Sequence, residues 1–152
     1  ADCALILANA SGADGMVAGQ VLDTLHSCRT EPEVAEVHHL KTGAMIAGAC
    51  MLGVGAAGGS EAARKAAETY GYQLGLAFQI RDDILDVVGD AKELGKAVGV
   101  DGAKNTFVRL YGIDECEKRV ETYTDMAISK LEAFEDSSYM RALALSLTQR
   151  RS

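Results

Sequence analysis

The strongest constraint on the fold is the stretch from Phe78 to Asp90, which reads as a helix with two unlike faces. One face carries an amide and three carboxylates at positions i, i+3, i+4 and i+7: Gln79, Asp82, Asp83 and Asp86. The other face predicts a core stripe: Phe78, Ile80, Ile84, Leu85, Val87 and Val88. Like charges four residues apart cost a helix about 0.2–0.5 kcal/mol per pair. The acidic face is therefore either a solvated surface or a site that a divalent cation stabilises.

Composition favours closely packed helices. The chain has 152 residues with one proline, 16 glycines and only 5% aromatic residues, a profile that suits a helical bundle better than a sandwich or barrel. This length fits one domain and can bury a sizeable core. We predict a single all-α domain over residues 1–152.

The helix boundaries follow from local signals. Pro32 is placed to open a helix, Ser60 to cap the next one, and Gly89 to follow its end. Gly71 and Gly75 share a helix face, which predicts close approach of a neighbouring helix. The predicted helices span residues 2–10, 14–25, 33–57, 61–88, 106–110, 114–134 and 138–149, with a polar loop over 90–105.

Charge and hydropathy exclude several classes of protein. The net charge of −7 and the pI of about 4.9, without a basic run, argue against nucleic-acid binding. The apolar run 43–59 is shorter than the ~20 residues of a membrane span and contains glycines, so it predicts a buried helix.

The four cysteines form no CxxC pair, which indicates free thiols in a reducing, cytoplasmic compartment. His38 and His39 point about 100° apart on a helix and cannot easily share one metal ion, so we interpret them as surface or supporting residues.

The remaining polar residues suit the handling of a diphosphate. Mg²⁺ takes one or two protein carboxylates and completes its shell with water and phosphate oxygens. The glycine-bearing loop that follows the acidic helix is predicted to contain three lysines, Lys92, Lys96 and Lys104. These lysines either bind phosphate groups or belong to a loop that is merely solvated. The sequence shows no nucleophile paired with a base, which argues against acyl transfer and covalent catalysis. Metal and lysines together would let a carbon–oxygen bond to diphosphate ionise.

These motifs carry a family resemblance. The stretch 78–86, FQIRDDILD, followed by Gly95-Lys96, resembles the second aspartate-rich motif of the trans-isoprenyl diphosphate synthases, the farnesyl/geranylgeranyl diphosphate synthase family. Lys41-Thr42-Gly43 and the run 12–23, which ends in Gln20-x-x-Asp23, resemble two further motifs of the family in the same order. The resemblance covers nearly the whole chain.

The resemblance implies an isoprenoid-synthase helical bundle and a fold-specific set of roles. The family joins isopentenyl diphosphate to an allylic diphosphate, dimethylallyl or geranyl, with Mg²⁺ as cofactor. By position, the implied metal ligands are Asp82, the main one, with Asp83 and Asp86 in support. The implied catalytic residues are Lys41 and Lys96 for the allylic diphosphate, and Thr42 and Gln79 for the developing cation. The implied substrate-binding residues are Phe78, for the isopentenyl group, and Gln20, Asp23 and Lys104.

The chain departs from the family at its start. The family's earlier aspartate-rich motif and the basic residues upstream of it have no counterpart here, so the chain resembles the C-terminal half of such an enzyme, inactive alone. Helices 33–57 and 61–88 are apolar around most of their circumference and require neighbours on several sides. We expect these neighbouring helices to come from the other half or from a second copy in a homodimer.

The alternative function is that of a non-catalytic subunit or remnant that binds a prenyl synthase. A terpene cyclase also uses aspartate-rich helices, but would not be expected to keep the Phe-Gln and Gly-Lys flanks.

Overall fold

The computed structural model describes residues 2–25, 30–94 and 106–150, with side chains of 90–94 left out. These ranges contain helices and no strand, which confirms the all-α prediction for the part described. The helices are α1 Asp2–Ser11, α2 Met16–Thr24, α3 Glu31–His38, α4 Ala44–Ala56, α5 Glu61–Leu94, α6 Phe107–Tyr111, α7 Ile113–Lys130 and α8 Ser138–Thr148. A π-helical turn, His39–Gly43, joins α3 to α4, and a 3₁₀ turn, Leu131–Ala133, follows α7.

Helix α5 is the axis of the molecule, with α4 on one side and α7 on another. Its buried side chains contribute to two core clusters. One contains Val34, Ile80, Ile84, Phe107, Cys116 and Val120, and the other contains Tyr70, Leu74, Ala127, Leu131 and Ala144. The predicted core stripe is therefore confirmed at Ile80 and Ile84, which are 0% and 3% exposed. The hydroxyl of buried Tyr70 donates to the Met140 carbonyl at 2.8 Å, which ties α8 to α5.

Glycines allow α5 to approach the π turn and α4 very closely. A Cβ atom at Gly71 would lie 2.4 Å from the Cα of Ala47, and one at Gly75 would lie 2.7 Å from the Cα of Gly43. Both distances are too short for any side chain. The close approach predicted from the spacing of the two glycines is confirmed.

The structure corrects the predicted end of α5. Gly89 does not end α5, which continues to Leu94. No proline follows Gly89, and Ala91, Lys92, Glu93 and Leu94 are good helix formers, so their propensity outweighs the ~1 kcal/mol that one glycine costs.

The predicted helix over 33–57 is also not one regular helix. It begins at Glu31, with Pro32 in its first turn as predicted, and the π turn interrupts it before α4. The helix predicted over 114–134 likewise gives way to the 3₁₀ turn after Lys130, and it begins at Ile113 with Gly112 as its N-cap. Gly112 adopts φ +78°, a left-handed conformation that favours glycine.

A polar network joins the start of α3 and the end of α6 to α7. The Tyr111 hydroxyl and the Arg119 guanidinium both donate to the Glu31 carboxylate, Arg119 at 2.6 Å. Arg119 also lies over the Tyr111 ring, 4.1 Å from its centroid. The hydrogen bonds from Tyr111 and Arg119 lower the pKa of Glu31 below its ordinary value of 4.5. The same contact raises the pKa of Tyr111 above its usual 10.0.

Much of the apolar surface of α1, α2 and α4 is uncovered in the described part of the chain. Helix α4 consists of small and apolar residues, yet only Ala44, Ala47 and Gly48 are buried. On α1 and α2, Leu5 and Leu25 are 62% and 67% exposed. Among the described residues, no helix is both long enough and apolar enough to cross a bilayer.

Replacing Glu31 by Gln should destabilise the protein at neutral pH and make its stability less dependent on acid. A carboxylate with a lowered pKa stabilises the fold above its unfolded value, and this contribution disappears as the pH falls through the folded pKa. Thermal unfolding midpoints of wild type and Glu31→Gln should therefore differ at pH 7 and converge below 4.5. Glu132→Gln, at an exposed residue after α7, is the control. A Glu31→Gln difference that persists unchanged in acid would contradict the role of the charge.

Candidate active site

The π turn is held between α2 and α5 by glycines on both sides. A Cβ atom at Gly19 on α2 would lie 2.3 Å from the backbone nitrogen of Lys41 and 2.6 Å from its Cα. On the opposite side, Gly75 of α5 contacts Gly43 just as closely. The backbone of the turn is thus in direct contact with both helices, and π turns of this kind are frequent at functional sites.

The turn directs two adjacent side chains to two different helices. Lys41 reaches α2, where its Nζ atom lies 2.7 Å from Oδ2 of Asp23. Thr42 reaches α5, where its hydroxyl donates to Oε1 of Gln79 at 2.7 Å. The Asp23 side chain is 13% exposed and that of Lys41 is 35% exposed, so the ammonium group lies at the open side of the pair. Residues predicted from separate motifs therefore meet at one place.

A chain of hydrogen bonds continues from Thr42 through Gln79 to Asp82. The Nε2 atom of Gln79 donates to Oδ2 of Asp82 at 3.1 Å. Since a carboxylate only accepts hydrogen bonds, Asp82 orients the amide so that its oxygen faces Thr42. The other oxygen of Asp82 accepts a hydrogen bond from Arg150, whose guanidinium lies over the Phe78 ring at 4.3 Å from its centroid.

Asp83 has different neighbours from Asp82. Its Oδ2 atom accepts a hydrogen bond from the backbone nitrogen of Phe107 at 3.2 Å and lies 3.6 Å from Nε2 of His38. The His38 ring stacks on the Phe107 ring, with 5.6 Å between centroids. Asp83 thereby connects α5 to the first residue of α6.

The remaining residues predicted from the sequence lie apart from these contacts. Asp86 is exposed on the next turn of α5. Gln20 is exposed on α2 and donates to the Thr24 hydroxyl at 3.2 Å. Lys96 and Lys104 lie outside the described residues. His39 stacks on Tyr72 with 4.0 Å between ring centroids, whereas His38 lies beside Phe107 and Asp83.

Sequence reasoning missed three features of this site. It did not predict the π turn, for which Gly43 inside the predicted helix 33–57 was only a partial signal. It predicted no role in the site for Arg150 or Arg81. The contacts of these two arginines join residues 36 to 68 positions apart, and no local pattern encodes them.

The donor set at Asp82 fits a magnesium ion that is shared with a substrate. Its side chain is 34% exposed and offers hard oxygen ligands. In the described part of the chain, no group of three or more His, Cys, Asp or Glu residues lies close enough to hold a metal by itself. Mg²⁺ does not require such a group, because it is usually held by one or two carboxylates together with substrate phosphates and water.

The fold and the site define an all-α protein whose lysine, amide and carboxylate groups converge where α2, the π turn and α5 meet. The sequence matches the family described as Polyprenyl synthetase over residues 3–144. The chain belongs to this family, that of the trans-isoprenyl diphosphate synthases.

Individual relatives agree with this assignment. The farnesyl diphosphate synthase of Escherichia coli (strain K12) is 39% identical over 153 residues, which cover 95% of this chain and 51% of the relative. Geranylgeranyl pyrophosphate synthase 3, chloroplastic, of Arabidopsis thaliana is 37% identical over 91% of this chain and 41% of its own length. The chain thus spans about half the length of the curated relatives it matches.

Solved structures share the fold. An FPP/GFPP synthase from Zymomonas mobilis, in its apo form, superposes with a TM-score of 0.82 at 30% identity, over 96% of this chain and 50% of that one. A geranyltransferase from Helicobacter pylori, complexed with magnesium and isoprenyl diphosphate, superposes with a TM-score of 0.74 at 28% identity, over 97% and 50%. The predicted isoprenoid-synthase fold is confirmed.

Replacing Gly19 by Ala should destabilise the protein by about 1–3 kcal/mol, because the added methyl group would overlap the backbone of Lys41. Gly53→Ala in α4 is the matched control, since a Cβ atom there meets nothing within 4 Å. It should be neutral or stabilise by up to about 1 kcal/mol, the difference in helix propensity. Denaturant unfolding of the two variants and wild type measures both. Equal effects of the two substitutions would show that the turn is not held as closely as the structure indicates.

Proposed function

We propose that the whole protein is a prenyltransferase that condenses isopentenyl diphosphate with an allylic diphosphate, dimethylallyl or geranyl, to a short-chain prenyl diphosphate. In this proposal the chain supplies the half of the active site that carries the second aspartate-rich motif. The observation that carries it is the chain of contacts from Thr42 through Gln79 to Asp82, with Lys41 beside it. The relatives, a farnesyl diphosphate synthase and a geranylgeranyl pyrophosphate synthase among them, support the same reaction.

Lys41 binds the allylic diphosphate in this proposal. Its partner Asp23 orients the ammonium group before the substrate arrives, so little side-chain freedom is lost on binding. The half-exposed ammonium retains donors for phosphate oxygens, and an ammonium–phosphate contact is among the stronger hydrogen bonds in proteins. Asp23 contributes to substrate binding through Lys41. Gln20, one turn earlier on α2, is proposed to lie at the edge of the same site, and Lys96 and Lys104 to add further positive charge.

Thr42 and Gln79 stabilise the allylic cation. The Thr42 proton is directed at the Gln79 oxygen, so the lone pairs of Thr42 are free to face outward. Both oxygens are neutral dipoles with fixed directions, and fixed dipoles stabilise a developing charge without having to reorganise during the reaction. Phe78, one residue before Gln79, provides an apolar surface for the isopentenyl group.

Asp82 is the proposed main ligand for Mg²⁺, supported by Asp83 and Asp86 directly or through water. When bound, the metal neutralises the diphosphate oxygens and thereby makes the diphosphate a better leaving group. Gln79 holds the Asp82 carboxylate in position through its amide. Asp83 also orders the first residue of α6 through its contact with the Phe107 backbone.

The uncovered apolar surface of α4 suits association. We propose that the other half of the enzyme or a second copy of the chain covers this surface, as in a homodimer, and that the protein works in the cytoplasm. A non-catalytic subunit that binds a prenyl synthase partner would use the same surface. The activity of the whole protein separates the two functions, because only the first requires Lys41 and Thr42 for turnover.

Lys41→Ala in the whole protein should raise the KM for the allylic diphosphate or lower kcat by about tenfold or more, since a charge-assisted hydrogen bond contributes roughly 1.5–3 kcal/mol. Lys130→Ala, which removes the same charge from the exposed end of α7, is the control and should leave both constants unchanged. Steady-state condensation assays with Mg²⁺ make the comparison. Wild-type constants for Lys41→Ala would contradict its role in the site.

The polypeptide 1–152 by itself should form no prenyl diphosphate and should not remain a monodisperse monomer. Exposed apolar surface such as that of Leu5, Leu25 and α4 favours self-association, at about 25 cal/mol for each Å² buried. Light scattering and a condensation assay with Mg²⁺ test the two expectations. Turnover by a stable monomer would contradict the half-site proposal.

A further inference from the structure

The guanidinium of Arg81 joins three helices at one point. Its two terminal nitrogens bind both oxygens of Glu117 on α7, at 2.7 and 2.5 Å, and its Nε atom donates to the carbonyl oxygen of Thr148 at 2.6 Å. The Arg81 side chain is only 12% exposed. A bidentate pair of this kind is directional, because the planar fork matches the carboxylate. Arg81 therefore holds α5, α7 and the last residue of α8 in a defined arrangement.

The bond to Thr148 determines where the chain goes after α8. The last carbonyl groups of a helix have no partner within it, and a cation that binds one of them stabilises the helix end. Thr148 is 1% exposed, and its hydroxyl donates to the Ala144 carbonyl at 2.9 Å, so this end of α8 is immobilised. Two residues later, Arg150 reaches the face of α5 that carries Phe78 and Asp82.

Arg150 takes the place at Asp82 that a metal would use. Gln79 binds one oxygen of the Asp82 carboxylate and Arg150 binds the other. A second cation at this carboxylate would lie next to the guanidinium, and two like charges in contact repel each other. The Nε atom of Arg150 is buried without a hydrogen-bond partner, so the docked position leaves one donor unsatisfied. The side chain is thus held by contacts that a divalent ion can displace.

We propose that Arg81 is a positioning residue that places Arg150 on Asp82, so that the C-terminal end of α8 competes with the metal for this carboxylate. This inference rests on the proposed function, because it requires Asp82 to bind the metal. Binding at one carboxylate is reciprocal: the metal weakens the docking of Arg150 by the same factor by which Arg150 weakens the binding of the metal. Loading of the active site with the metal and release of Arg150 from Asp82 are then one coupled event.

Binding of Mn²⁺ alone, without substrate, tests the proposal on the whole protein. Free Mn²⁺ is counted from its electron paramagnetic resonance signal during a titration. Arg150→Gln removes the competing cation and should tighten Mn²⁺ binding by about tenfold. Arg81→Lys keeps the charge but loses the fork and the bond to Thr148, so it should tighten binding in the same direction. The double variant should bind no more tightly than Arg150→Gln, because both substitutions remove one interaction.

Two controls keep the result interpretable. Arg141→Gln removes the same charge from the exposed first half of α8 and should leave Mn²⁺ binding unchanged. Asp82→Asn should abolish the binding that the other variants change. If Asp82→Asn binds Mn²⁺ like wild type, the proposed metal site itself is wrong, and that result is distinct from a failure of the competition.

The competition is contradicted if Arg150→Gln binds Mn²⁺ with wild-type affinity while Asp82→Asn does not bind. The positioning role is contradicted if Arg150→Gln tightens binding and Arg81→Lys does not. Should Arg81→Lys fail to fold, Glu117→Gln replaces it, since it weakens the fork and preserves the bond from Arg81 to Thr148. It should tighten Mn²⁺ binding by a smaller factor than Arg81→Lys is expected to, and an unchanged affinity would contradict the positioning of Arg150 by the Arg81–Glu117 fork.

Discussion

The structure depends on one crowded contact, in which the π turn passes between Gly19 of α2 and Gly75 of α5. Neither glycine leaves space for a methyl group, so the backbones themselves are in contact. A π turn is a costly departure from regular helix, and each glycine costs its helix about 1 kcal/mol relative to Ala. This contact fixes the direction of two side chains, since Lys41 binds Asp23 of α2 and Thr42 binds Gln79 of α5. A larger side chain at either glycine would move both ends of the site.

Helix α5 has one face that packs in the core and another face that carries residues of the site. Ile80 and Ile84 are buried against α3, α6 and α7, while Gln79 and Asp82 remain accessible on another side. Every polar atom in the chain from Thr42 to Asp82 has a defined partner, and half-buried groups keep their direction only when such partners exist. The apolar face therefore supplies the stability that the acidic face, with its like charges, does not.

Helix α8 contributes to the core and also determines contacts in the site. Its apolar face packs on α5 and α7 through Ala144 and Leu147, and its last turn is held by Arg81. Arg150, two residues after the end of α8, reaches Asp82, so a change in the docking of α8 also changes the contacts of this carboxylate. Helix α4 has the opposite character, since the described part of the chain buries only Ala44, Ala47 and Gly48 of its small and apolar residues.

The sequence by itself determined the helical class, the axis helix and its two faces, because periodicity and glycine spacing are local properties. Ile80, Ile84, Gly71 and Gly75 were all predictable in this way, and Thr42 and Gln79 were assigned to one site only through the family resemblance. Only the tertiary structure decided which polar groups meet: that Asp83 orders α6 instead of sharing the neighbours of Asp82, that Arg150 lies on Asp82, and that Arg81 turns away from the acidic face. Helix continuation at Gly89 was also decided beyond the local signal. The physical reason is that hydrogen bonds that join a side chain to a residue 24 to 68 positions away depend on how whole helices pack, and no pattern within one helix records that packing.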